Sequence, residues 1–251
     1  MLNLLKADFY KLRRSKSFFI CLGLLAAIVA YIIIDFSSSA HIKEKLSSSN
    51  LHWIYMMFKE KSFLPYFLPV FQAIFITMLI TSEYSTGTIK DSVSLGYSRT
   101  KIYMSKLITI SVASILMMLA AIATTGISSI FVFGIYGTFS MYDFLLLFRM
   151  LLIHALLYTA YGSIFLKIAF LIKNIGGTMA FSIFFSLILG SLSSVFGEGY
   201  LGRIMLLKNF SPTAIPNPQA VDIRIAIAVA LSYLFLCFSI GCVTFKKQDI
   251  K

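Results

Sequence analysis

The sequence predicts an all-α, polytopic membrane protein: six transmembrane helices, an N-terminal amphipathic elbow helix, and both termini cytoplasmic. Three observations carry that prediction. Of 251 residues, 59% are hydrophobic and only 13% charged, against roughly 45–50% and about 25% in soluble domains. Too little polar surface remains to cover a water-exposed globule. The apolar residues fall in six continuous runs, each long enough to cross a bilayer core that needs about 20 helical residues, and none alternates as barrel strands do. Finally, 22 Lys and Arg against 10 Asp and Glu give a net charge of +12. This charge lies between the apolar runs, the pattern of loops on anionic lipid and not of a nucleic-acid surface. A soluble enzyme, a disordered chain and a secreted disulfide scaffold are excluded.

Residues 1–16 are too polar to insert. Leu2, Leu5, Phe9 and Leu12 recur at helical spacing, while Lys6, Lys11, Arg13, Arg14 and Lys16 supply charge, as in a helix lying along the inner leaflet. A plain topology anchor explains the same charges. The first span, 17–36, is longer than the 7–15 residues of a signal-peptide core, although Ser38-Ser39-Ala40 resembles a cleavage site; it reads as a retained span. The others are expected at 63–81, 107–133, 144–172, 178–196 and 223–245. With both termini inside, the cytoplasmic segments hold 14 of the basic residues and the outer ones 8, leaving net charges of +10 and +2. The bias favours this orientation. Cys21, Cys237 and Cys242 sit inside apolar stretches without metal-ligand spacing and read as packing residues. No metal site is expected.

The polar segment 82–106 between the second and third spans is the most informative. Glu83 and Lys106 bracket it, and Gly87 and Gly96 are placed to end or turn a short helix. Between them Ile89, Val93 and Leu95 stand beside Lys90 and Asp91. Such apolar teeth suit a plug for a groove on a partner protein, or a solvated hairpin tucked under its own helices. Within the spans, Arg149 and Lys167 are about 27 Å apart on a helix and bracket the hydrocarbon core. His154 lies inside Arg149. It is either a substrate or proton contact or a neutral imidazole hydrogen-bonded to a neighbouring helix. Gln72, flanked by Phe71 and Phe75, either lines a dimer-interface pathway for an amphipathic cargo or packs.

Catalytic residues are not expected: the three histidines and scattered acids form no paired carboxylates and no H-E-x-x-H. No phosphate-cradling G-x-x-x-x-G-K-[ST] occurs either, so ATP-driven work requires another chain.

Glu83-x-x-x-Gly87-Thr88, followed by Gly96-x-x-Arg99 and by Lys106 at the third span, resembles the permease subunits of type-2 ABC transporters. Leu4–Lys16 is similar to their elbow helix, and Gly241 with Phe245-Lys246-Lys247-Gln248-Asp249-Ile250 to their ending. The resemblance spans essentially the whole chain and makes 1–251 a single transmembrane permease domain. It implies a homodimer or heterodimer with a related permease in the bacterial plasma membrane, moved by an ATP-binding subunit that carries ATP and Mg; no cofactor is expected in this chain. On that pattern, 83–101 is a coupling helix seated in the ATPase. Glu83, Tyr84, Gly87, Thr88, Ile89, Lys90, Gly96 and Arg99 are its contact set. Glu83 and Arg99 would brace its ends, Gly87-Thr88 would set the turn, and 197–222 would form an extracellular re-entrant cap.

The function expected is export of an amphipathic or lipophilic cargo. Resemblance to bacitracin- and lantibiotic-type export permeases points to an antimicrobial peptide or antibiotic, with Phe71, Gln72, Phe75 and His154 as candidate pathway residues. Two alternatives belong to other classes. One is a membrane immunity protein that binds a toxic peptide without transport. The other, a proton-coupled secondary transporter, needs a buried carboxylate relay that the spans lack.

Overall fold

The computed structural model describes residues 1–38, 50–59, 63–134, 140–196, 199–215 and 217–248. The chain begins with α1 (Leu2–Arg14), whose last turn carries Lys11, Arg13 and Arg14, cations suited to a helix C-terminus. The backbone then turns through an extended Ser15. Its hydroxyl accepts the Phe18 N–H at 3.3 Å and so caps α2 (Lys16–Ser38). After the short α3 (Asn50–Met57) come α4 (Phe63–Ser85), α5 (Thr88–Ser94) and α6 (Arg99–Phe133). The next helix, α7 (Met141–Ile172), starts on a capping box in which Ser140 Oγ accepts the Asp143 N–H at 3.2 Å and Asp143 accepts the Ser140 N–H at 3.0 Å. Lys173, with φ 60°, ends α7, and Asn174 Oδ1 accepts the Gly177 N–H to cap α8 (Ile175–Val195). Short helical pieces, α9 (Tyr200–Ile204), a 3-10 turn (Leu207–Asn209) and α10 (Phe210–Thr213), lead to α11 (Ala220–Lys247).

Among the described residues six helices, α2, α4, α6, α7, α8 and α11, are long and apolar enough to cross a membrane, and no strand occurs. In a bilayer this follows from backbone chemistry, since a helix satisfies its own N–H and C=O groups. The all-α, six-span class expected from composition is therefore observed. The helix around the third span begins two turns early, at Arg99, and that of the second runs a turn late, to Ser85, while the other spans differ from expectation by three residues or fewer at either end. A helix ends where capping stops it, not where the apolar core ends. The segment between the second and third spans accordingly shrinks to residues 86–98, most of it again helical.

The most deeply buried span is α7, packed against α4, α6, α8 and α11, whereas α2 and α8 keep most of their surface outward. Small residues permit the tightest crossings, as expected where hydrophobic transfer does not drive helices together. A methyl group on Gly162 of α7 would lie 3.0 Å from Ile110 and 3.2 Å from Ser114 of α6. One on Gly241 of α11 would fall inside the Tyr103 phenol of α6.

At the end of the bundle away from the termini, Phe210 of α10 is fully buried. It lies 5.1 Å from His154 and 4.8 Å from Tyr158, ring to ring, and Phe58 meets His154 edge-on at 5.0 Å. Arg149 Nη2 donates to the Ile215 carbonyl at 3.3 Å. The stretch before α11 is thus fastened onto α7 by aromatic packing and one cation. Several sequence expectations fall outside the described residues: the basic positions Lys43, Lys45, Lys61 and Lys251, the cleavage-like Ser39-Ala40, and positions 197, 198 and 216 of the 197–222 segment.

Candidate functional site at the loop between the second and third spans

The loop is short because glycine closes it at both ends. Gly87 precedes α5 at φ 73°, and its N–H reaches the Tyr84 carbonyl at 3.3 Å. Thr88 Oγ1 donates back to the Glu83 carbonyl at 3.3 Å. After α5, Gly96 sits at φ 84°. Its N–H bonds the Val93 carbonyl at 3.0 Å and the Tyr97 N–H bonds the Ser92 carbonyl at 3.3 Å, a Schellman closure that requires a left-handed residue. These are the turns that Gly87 and Gly96 suggested.

Beneath the loop lies a buried ionic node. Lys106 Nζ of α6 stands 2.5 Å from Asp8 Oδ1 of α1 and 2.6 Å from Glu83 Oε1 of α4. Lys11 Nζ adds a second cation to Glu83 at 2.9 Å, and Ser105 Oγ donates to Asp8 Oδ2 at 2.5 Å. Asp8, Glu83 and Lys106 are each about 95% buried. Two carboxylates and two ammonium groups leave the node neutral, the condition under which charges persist away from water. The node joins the elbow helix, the helix entering the loop and the helix leaving it.

The other end of the loop is tied differently. Arg99 Nη1 donates to the carbonyls of Phe245, Lys246 and Gln248, at 3.0, 2.8 and 2.6 Å. They lie at and just beyond the C-terminus of α11, where carbonyls lack helical partners, and the two hydrogens of Nη1 are shared among the three. Gln248 Nε2 in turn donates to the Phe170 carbonyl of α7 at 3.0 Å. Tyr84 packs edge-on to Phe170 at 5.8 Å, with Lys173 Nζ 5.4 Å from its ring centre.

The side chains of α5 divide sharply. Ile89 is 1% exposed and belongs to the chain's own core, and Val93 leans on that core. Of the three apolar residues singled out as teeth, Leu95 alone projects, at 75% exposure, alongside exposed Lys90, Asp91 and Ser94. The exposed surface of the helix is therefore this mixed tip and not the whole apolar set, because its own bundle buries Ile89 and takes up Val93.

The four candidate pathway residues lie elsewhere and are not brought together with the loop. Phe75 meets Phe18 of α2 at 5.2 Å, Gln72 is 1% exposed, and Phe71 is half-buried. His154 is fully buried, with Nδ1 2.8 Å from the Met150 carbonyl of its own helix. The Phe210 backbone of neighbouring α10 is a second polar partner of the ring.

Sequence reasoning passed over Asp8 and the ion-pairing role of Lys106. The available signal was an acid on the Leu5–Leu12 stripe of an otherwise basic helix, which asks for a buried cation.

Six helices fit to span a membrane, with an elbow, a clamped loop and a fastened tail at one end, define a multi-pass membrane protein. The model of the ABC-2 family transporter protein matches residues 4–193, three-quarters of the chain. This chain belongs to that family, and membership implies partnership with an ATP-binding subunit. No curated protein matches it in sequence.

Proposed function

We propose that this chain is the membrane half of an exporter in a bacterial plasma membrane, with both termini cytoplasmic, paired with a second permease copy or a related permease. Its cargo is amphipathic or lipophilic, of the antimicrobial-peptide or antibiotic kind. A separate subunit binds ATP and Mg and supplies the work. The observation that carries the reading is the loop: a short helix offering Lys90, Asp91, Ser94 and Leu95 outward, held at one end by the Glu83 node and at the other by Arg99.

A push on that tip has two routes into the bundle. Through Glu83 and Lys106 it reaches α1, α4 and α6. Through Arg99 and Gln248 it reaches α11 and α7. When ATP hydrolysis changes the separation of two ATPase subunits, the loops move with them, and the spans shift as rigid bodies instead of bending locally. Cargo reaching Phe71, Gln72, Phe75 or His154 would have to part helices that are packed together here.

The test is a pull-down of the tagged chain from native membranes in mild detergent. Recovery of an ATP-binding subunit with a phosphate-binding loop supports the reading. Function that persists with no such subunit recovered overturns it, in favour of a peptide-binding immunity protein.

A further inference from the structure

A second feature at the terminal end of the bundle lies outside the coupling geometry. Where the elbow meets the spans, a groove of about 400 Å³ is left open. Phe9 and Leu12 of α1, Phe19 and Leu22 of α2 and Leu116 of α6 form its apolar walls, and Arg13 stands on its lining. The turn at Ser15 creates it: α1 and α2 diverge there, and α6 closes the back.

The lining is almost wholly apolar, so water gains little there; an alkyl chain fits it. The charge around it is one-sided. Arg13, Arg14 and Lys16 are exposed, and among the described residues none of them forms a salt bridge. The nearby acids Asp8 and Glu83 are already taken by Lys106 and Lys11. A cationic amphipathic peptide would meet repulsion at this rim, and a zwitterionic lipid would bring a cation of its own.

We propose that the groove seats one anionic glycerophospholipid, an acyl chain between α1, α2 and α6 and its phosphate on Arg13. The lipid would complete the elbow corner, one face of α1 resting on the ionic node and the other on the chain. Each basic side chain at an anionic surface contributes about 1 kcal/mol, or about fivefold in affinity.

The experiment is native mass spectrometry of the full-length chain, released from detergent with dioleoylphosphatidylglycerol or dioleoylphosphatidylcholine added. The expected result is retention of the anionic lipid at least about fivefold above the zwitterionic one. Arg13→Gln should lose about fivefold of that preference, and either Leu116→Trp or Leu22→Trp, each filling the groove, should weaken retention of the lipid. Equal retention of the two lipids overturns the proposal, as does wild-type retention in Arg13→Gln or in both filling variants. Equal competition by glycerophosphoglycerol, which has no chains, or displacement of the lipid by a cationic amphipathic peptide also overturns it.

Discussion

Lys106→Met removes the ammonium that stands between Asp8 and Glu83 and leaves two buried carboxylates with Lys11 alone to answer them. At 2.5 and 2.6 Å and an effective dielectric constant of about 20, each lost attraction is worth about 6 kcal/mol gross. Methionine also frees the variant of the cost of burying the ammonium. The net loss expected for breaking one buried pair is about 3–5 kcal/mol. For a chain of this size that lowers the melting temperature by roughly 10 °C. Thermal unfolding of the purified chain, followed by size-exclusion chromatography, reads it. The double variant Asp8→Asn/Lys106→Met separates charge imbalance from lost packing. It restores neutrality, keeps the Glu83–Lys11 pair and leaves an amide for Ser105, so it should recover about 2 kcal/mol relative to the single variant. A Lys106→Met chain melting within about 2 °C of wild type would refute the reasoning. So would a double variant no more stable than the single one.

Three further outcomes follow from the same geometry. Arg99→Ala leaves the Phe245, Lys246 and Gln248 carbonyls without their common donor, which should cost about 1–3 kcal/mol and speed limited proteolysis at the C-terminal tail; Arg99→Lys should rescue only part. Gly241→Ala drives a methyl into the Tyr103 ring and should destabilise by about 1–3 kcal/mol, read as a lower melting temperature. Phe210→Ala empties the space between His154 and Tyr158 and should cost about 3–5 kcal/mol in thermal unfolding, with α9 and α10 becoming protease-sensitive before the spans do.

The spans and the elbow were legible because their information is local: continuous apolar runs, helical recurrence in 1–16 and punctuating basic residues. Gly87 and Gly96 were legible for the same reason, since a left-handed turn writes itself into one residue. What escaped depends on which residues meet. Asp8 and Lys106 are 98 positions apart, and Arg99 reaches carbonyls almost 150 positions away; side-chain pattern says nothing of backbone acceptors on another helix. Ile89 illustrates the same limit. Its apolarity announced burial, but not whether the bundle or a partner would do the burying.

The proposed coupling requires the ATP-binding subunit to sit against the tip of α5. A photo-crosslinking amino acid at Leu95, compared with one at Phe131 on the opposite end of α6, where the side chain is 87% exposed, tests it directly in intact cells. The predicted result is an adduct with the ATP-binding subunit from position 95 and none from 131. Transport-competent cells that yield no such adduct from 95, or yield it from 131, would contradict the account.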